Sequence, residues 1–291
     1  MIGTDHIRNP AEWSVDQLRA AGRAVERAGH SVSGLGLAES GQLPAVRRIG
    51  IDDLKTALVH GIDDFAASRS DVVFICLVYP LAGLLLAWFA LNHDILPLVF
   101  PLAAGFALLG PVAAVGLYEV SRRREQGIAT SWVDALQVVR APAFGAVFVL
   151  GLVLLGIFLL WLGTAHAIYL ATLGPQPPAS VREFFADVLT TGPGWVMIVV
   201  GCGIGFLFAV LVLMISVVSF PMLLDRDPGL YAAVATSVRA VVTNPVPMAA
   251  WGLIVAGALT LGSLPALLGL IFVMPVLGHA TWHLYRRLVP R

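Results

Sequence analysis

Polar and apolar positions divide this chain near residue 70. Before that point the residues are mainly polar, with two helical patterns. Pro10 to Glu26 carries Trp13, Val15, Leu18 and Val25 among arginines, and Ser33 to Gly41 is a small-residue, Gly-rich linker. Ile51 to Ala67 places Leu54, Leu58, Ile62 and Phe65 near one helical face. Asp52 and Asp53 fall in its first turn, where carboxylates suit the positive helix end. Such a helix is expected on the cytoplasmic membrane surface or against the loops of the bundle. After residue 70 come six apolar runs: Val72–Leu91, Leu96–Leu117, Phe144–His166, Trp195–Phe220, Val246–Leu261 and Ala266–Leu284. A membrane-crossing helix needs about 20 apolar residues, so the pattern predicts an all-α polytopic membrane bundle of six transmembrane helices. The last two runs form a hairpin around Gly262, Ser263, Leu264 and Pro265.

Composition agrees. Hydrophobic residues make up 58% of the chain and charged residues 12%, about half the charge of an ordinary soluble protein. No charged residue lies between Asp187 and Asp225, or between Arg239 and Arg286. The net charge is zero and the basic residues form no long patch, which argues against nucleic acid as a partner. Cys76 and Cys202 both sit in apolar runs and cannot build a disulfide framework.

Charge placement sets the orientation. Of 18 Lys and Arg residues, Arg182 alone falls on one side of a six-span arrangement. The positive-inside bias therefore places the N-terminal segment (1–70), the membrane domain's larger loops and the tail (289–291) in the cytoplasm. The bilayer concerned is expected to be a bacterial inner membrane. The main outer loop, Gly174 to Gly194, carries Val181, Phe184, Phe185 and Val188, a pattern for a short interfacial helix.

Within the membrane domain (71–288) the two larger cytoplasmic loops resemble each other. A shift of 103 residues pairs Arg123 with Arg226, Val138 with Val241, Val139 with Val242, Pro142 with Pro245, Ala146 with Ala249 and Leu150 with Leu253. The repeat covers about 97–155 and 200–258. Each copy predicts an in-plane amphipathic helix. The first has Thr130 or Ser131 as its cap and Trp132, Leu136 and Val139 as its stripe. In the second, Asp227 caps, Pro228 takes the first position, and Leu230, Val234, Val238, Val241 and Val242 form the stripe.

The stretch that begins SFPMLLDRDPGLYAAVATSVRAVVTNPVP at Ser219 and runs to Arg287 is distinctive. So are VRRIGIDDLKTALVHGIDDF from Val46 and FICLVYPLAGLLLAW from Phe74. Over roughly residues 45 to 288 the chain resembles the bacterial integral-membrane family known as domain of unknown function 2189. The resemblance implies a polytopic inner-membrane protein and brings no activity, cofactor or catalytic residue with it.

Candidate chemistry is sparse. His279 and His283 share one face of the last span, and Pro275 should kink it. With Cys76 and Tyr79 expected at similar depth, His279, His283 and Cys76 form the candidate metal or proton-handling set. The plainer alternative makes Trp282, His283, Tyr285, Arg286 and Arg287 an interfacial anchor. Gly201, Gly203 and Gly205 suggest close helix packing. Pro97, Pro101, Gly105, Gly110, Pro111 and Gly116 make the second span irregular. Asp225, Arg226, Asp227 and Pro228 read as a turn with a cap, and Pro245 and Pro275 as structural prolines. No Ser/His/Asp set, paired carboxylates or zinc-ligand spacing is visible along the sequence. The expectation is a non-enzyme without cofactor, in a structural, assembly or regulatory role, with the bilayer and a membrane-protein partner or a second copy as its contacts. The alternatives are a small-solute or ion transporter and an accessory respiratory subunit.

Overall fold

The structure is a computed structural model that describes residues 43–76, 80–85, 88, 96–128, 138, 141–176, 178 and 180–291. Among them the regular elements are all helical. Helix α1 spans Ile51–Cys76. A 3-10 turn at Leu96–Leu98 leads into α2 (Val99–Leu108), α3 (Gly110–Ala113) and α4 (Val115–Glu125). Then come α5 (Phe144–Thr172), α6 (Val181–Thr190), α7 (Gly192–Ser216), α8 (Ser219–Arg226), α9 (Leu230–Thr243), α10 (Pro245–Ser263) and α11 (Leu270–Leu288). Among the described residues three helices are long and apolar enough to cross a membrane: Phe144–Thr172, Gly192–Arg226 and Pro245–Ser263. The expected helix at Pro10–Glu26, nearly all of the in-plane helix of the first repeat, Tyr79 and part of the first span lie outside the described residues.

The second span is three short helices in line. Turns at Leu109 and Ala114 interrupt it, next to Gly110 and Pro111. It nevertheless stays against α5 along its length, antiparallel to it. Trp161 donates to the Pro101 carbonyl at 3.0 Å, Gly105 faces Phe158, and Val112 faces Gly151. A Cβ at 105 would stand 2.2 Å from the Phe158 ring, so any larger residue there requires that ring to move.

Helix α1 departs from the expected surface position. It packs along α11 through Leu54, Ala57, Gly61 and Asp64, all buried, whereas Ile62 is exposed. Of the predicted stripe Leu54 is buried and Leu58 and Phe65 pack against the core, but Ile62 turns outward, because small residues set the closest contact. A Cβ at Gly61 would lie 2.7 Å from the Ala280 backbone nitrogen. The helix also continues to Cys76 without a break at residue 67, as nothing in Ala67-Ser68-Arg69-Ser70 stops it.

Helix α9 keeps Leu230, Val234 and Val241 of its predicted stripe against the core. It buries Ala232, Ala233, Thr236, Ser237 and Ala240 against the bundle and exposes Tyr231 and Val242. Gly229, not Asp227, precedes its first turn. Asp227 instead ends α8 in the left-handed conformation, with φ 45°. The paired repeat positions Leu150 and Leu253 differ in environment, the first 2% and the second 73% exposed. In the glycine run of α7 only Gly205 makes a close approach, 3.0 Å from a Cβ position to the Trp161 ring; Gly201 and Gly203 face open space.

The main core among the described residues is apolar. Leu150, Leu154, Val212, Phe220, Met248 and Trp251 are buried in one core. Leucine, valine and phenylalanine side chains also cover the outside of α5 and α7, including Phe148, Leu159, Leu160, Val199, Phe206 and Leu207. Each such side chain left in water forfeits about 1.5–3 kcal/mol relative to burial. Lipid is the environment that removes this cost.

Candidate functional site

Polar side chains gather at the arginine-rich end of the bundle. The tightest group joins α1, α4 and α11. Ser121 Oγ donates to Asp64 Oδ2 at 2.6 Å and lies 2.7 Å from His279 Nδ1. Asp64 Oδ2 also accepts from His283 Nε2 at 2.8 Å, and Arg124 reaches Oδ1 at 3.1 Å. His60 meets the His283 ring edge-on, with centroids 5.1 Å apart. Asp64, Ser121 and His279 are all buried.

The directions of these bonds fix the chemistry. The single Ser121 proton goes to the carboxylate, so the hydroxyl oxygen must accept from Nδ1–H of His279. The other nitrogen of that ring, Nε2, is buried without a partner of good geometry, although the Leu117 backbone faces the ring. Burial alone would push the Asp64 carboxyl up. Hydrogen bonds from His283 and Ser121 and the nearby imidazole charges outweigh it and hold the group below the usual carboxylate range.

Helix periodicity assembles the group. His279 and His283 are one turn apart on α11, and Ser121 and Arg124 are three apart on α4, so each helix offers two groups on one face. The sequence pattern found the two histidines. It missed Asp64 and Ser121, whose contacts lie 57 to 219 residues away along the chain. The Ser, His and Asp that showed no spacing along the sequence are therefore together in space. Cys76 is not with them in depth. It ends α1 twelve residues beyond Asp64, about 18 Å along the axis. Among the described residues no group of three or more His, Cys, Asp or Glu could hold a metal ion.

A second set of contacts fastens the chain ends. Trp282 Nε1 donates to Glu125 at 3.1 Å and Tyr285 donates to Asp225 at 2.7 Å. Both aromatic residues are fully buried, so they are not interfacial anchors. Arg286 bridges Glu125 and Asp225, and Arg287 pairs with Asp53. Arg226 donates to the Val289 and Pro290 carbonyls. Asn244 accepts from the Ile49 N–H and donates to the Arg47 carbonyl, while the Arg47 N–H reaches the Leu288 carbonyl. Glu119, itself buried, is held by Arg122 and Arg123.

Above this layer lies a cavity of about 100 Å³ between α3, α4, α7, α10 and α11. Trp251, Val255, Leu259, Met274 and Leu277 dominate its lining. Tyr118, Thr281 and Ser216 are its polar groups.

No curated protein and no solved structure matches the chain. A family model does, over α2 to α8, a segment that shares only Ser219 to Asp225 with the two stretches that carried the resemblance in the sequence. Residues 99–225 match the family described as "Predicted integral membrane protein (DUF2189)", which makes this chain an integral membrane protein of unknown role.

Proposed function

We propose that the protein is a non-enzymatic component of a bacterial inner membrane with a structural, assembly or regulatory role, its two termini in the cytoplasm and its six apolar segments in the bilayer. The observation that carries this reading is how the polar groups are spent. Asp64, Ser121, His279, His283, Glu125, Asp225 and Asn244 each join helices or chain ends. In a hydrolase-type triad the histidine stands between the hydroxyl and the carboxylate and takes the hydroxyl proton. Here the hydroxyl, on a residue 1% exposed, stands in the middle and gives its proton to the carboxylate. That order supports a brace and not a nucleophile.

The transporter alternative needs a polar, water-filled route. The apolar core and the small, mostly apolar cavity weigh against it. The cytoplasmic placement of the fastened end is supported by its arginines. The outward Tyr231 and Val242 of α9, 58% and 65% exposed, support an in-plane position in the inner leaflet.

Purification in mild detergent, with identification of whatever copurifies, tests the role. The reading expects a stoichiometric membrane-protein partner or a second copy. A protein that purifies alone as a monomer and turns over a substrate would overturn it.

A further inference from the structure

We infer that α10 and α11 form a re-entrant hairpin whose tip, Gly262 to Gly269, lies in the middle of the bilayer against lipid acyl chains and does not reach the outer surface. This rests on the membrane reading above and refines it: four segments cross and the last two enter and return. Both termini stay on the same side.

Helix register sets the depth of the tip. At the arginine-rich end the elements are level. Glu125 of α4 bonds Trp282 and Arg286 of α11, and Arg226 of α8 bonds the chain beyond α11. Farther up, Leu117 sits against Gly278. From there the second span climbs 21 residues to Leu96, whereas α11 climbs only eight to Leu270. At about 1.5 Å per residue, that is roughly 31 Å against 12 Å. The other arm gives the same answer. Leu213 of α7 touches Gly252 of α10. Beyond this level α7 rises 21 residues to Gly192, and α10 rises eleven to Ser263, roughly 31 Å against 17 Å. The helix ends that flank the tip therefore stop about 14–19 Å short of the far ends of their neighbours. The hydrocarbon layer is about 30 Å thick. Its outer boundary is marked by α6, with Arg182, Glu183 and Asp187, directly before Trp195.

The tip is built for that depth. It carries no charged residue, and Leu261, Leu264, Leu268 and Phe272 are between 55% and 74% exposed. At a water-facing turn these would be costly; against acyl chains they are not. Irregular backbone inside a bilayer must satisfy its own polar groups. Here the N–H groups of Ala266, Leu267, Leu268 and Leu270 bond to the carbonyls of Leu264, Ser263, Pro265 and Leu267. Pro265 has no N–H, and Ser263 Oγ returns its proton to the Leu259 carbonyl at 2.7 Å. Ala266 and Leu267 take left-handed φ values of 50° and 66° to close the turn quickly. Gly262 and Gly269 touch, since a Cβ on Gly269 would lie 2.7 Å from the Gly262 carbonyl oxygen.

The test uses the full chain in vesicles, with Cys76 and Cys202 replaced by serine and single cysteines introduced by Leu264→Cys, Leu268→Cys and, as the outer marker, Glu183→Cys. A membrane-impermeant maleimide should label the cysteine at 183 from one side only and those at 264 and 268 from neither. A fluorophore attached at 264 or 268 through a permeant reagent should be quenched severalfold more by lipids with a nitroxide near the chain end than by headgroup nitroxides. Maleimide labelling at 264 and 268 from the same side as 183 would overturn the re-entrant hairpin while leaving the membrane reading intact. Labelling at 183 from both sides would overturn the membrane reading itself.

Discussion

Asp64→Ala removes the acceptor on which three helices converge. The carboxylate accepts from Ser121 at 2.6 Å, His283 at 2.8 Å and Arg124 at 3.1 Å. Without it the Ser121 hydroxyl and the His283 ring each lose a partner in a buried setting, at about 1–3 kcal/mol per group. The Arg124 side chain is 41% exposed and can rehydrate, so its loss adds little. The expected cost is about 3 kcal/mol, roughly a hundredfold in the folded-to-unfolded ratio. Asp63→Ala, one residue away and outward-facing, should cost less than about 0.5 kcal/mol. Reversible unfolding of the purified protein in mixed detergent micelles, followed by circular dichroism, compares the two. pH supplies a second arm. Asp64 is held below its ordinary value, so its contribution is fully present above the unfolded aspartate pKa of about 3.9. It fades as pH falls through the lower folded value. The gap between wild type and Asp64→Ala should therefore be constant near neutrality and close in acid. Equal effects of the two substitutions, or a gap that widens in acid, would refute the reasoning.

Other substitutions probe the packing and the chain ends. Gly61→Ala should destabilise by about 1–3 kcal/mol in the same unfolding assay, because its Cβ meets Ala280 backbone at 2.7 Å, while Gly50→Ala, with nothing within 4 Å, should be close to neutral. Tyr285→Phe removes a 2.7 Å bond to the Asp225 carboxylate and should cost about 1.5–3 kcal/mol. Asp227→Gly relieves a left-handed φ of 45° and should stabilise by about 0.5–1 kcal/mol; a loss of stability would mean that Asp227 caps α9 after all.

The parts of the fold that depend on uninterrupted apolar runs were legible in the sequence. Helices α5, α7 and α10, the hairpin after α10 and the short helix α6 all fall where the pattern predicts them. Positions set by long-range packing were not. Ile62 outscores Gly61 on any hydrophobic scale, yet the small residue is what lets α1 approach Ala280. Trp282 and Tyr285 carry the composition of an interfacial anchor, but their polar tips meet Glu125 and Asp225 inside the bundle. The pairing of His279 with Ser121 and of His283 with Asp64 has no local signal, because it depends on α1 lying antiparallel to α11. Asp227 followed by Pro228 has the sequence of a cap. The left-handed turn at Asp227 spends that residue on ending α8 instead.

The central claim is that a closed apolar bundle is fastened at one end by polar groups that serve the fold and not a passage. Reconstitution of the purified protein into sealed vesicles, with proton, ion and small-solute flux followed under an imposed gradient, tests it most directly. The account predicts flux indistinguishable from protein-free vesicles. Saturable flux that disappears in Ser121→Ala and His279→Leu variants still folded in detergent would contradict it.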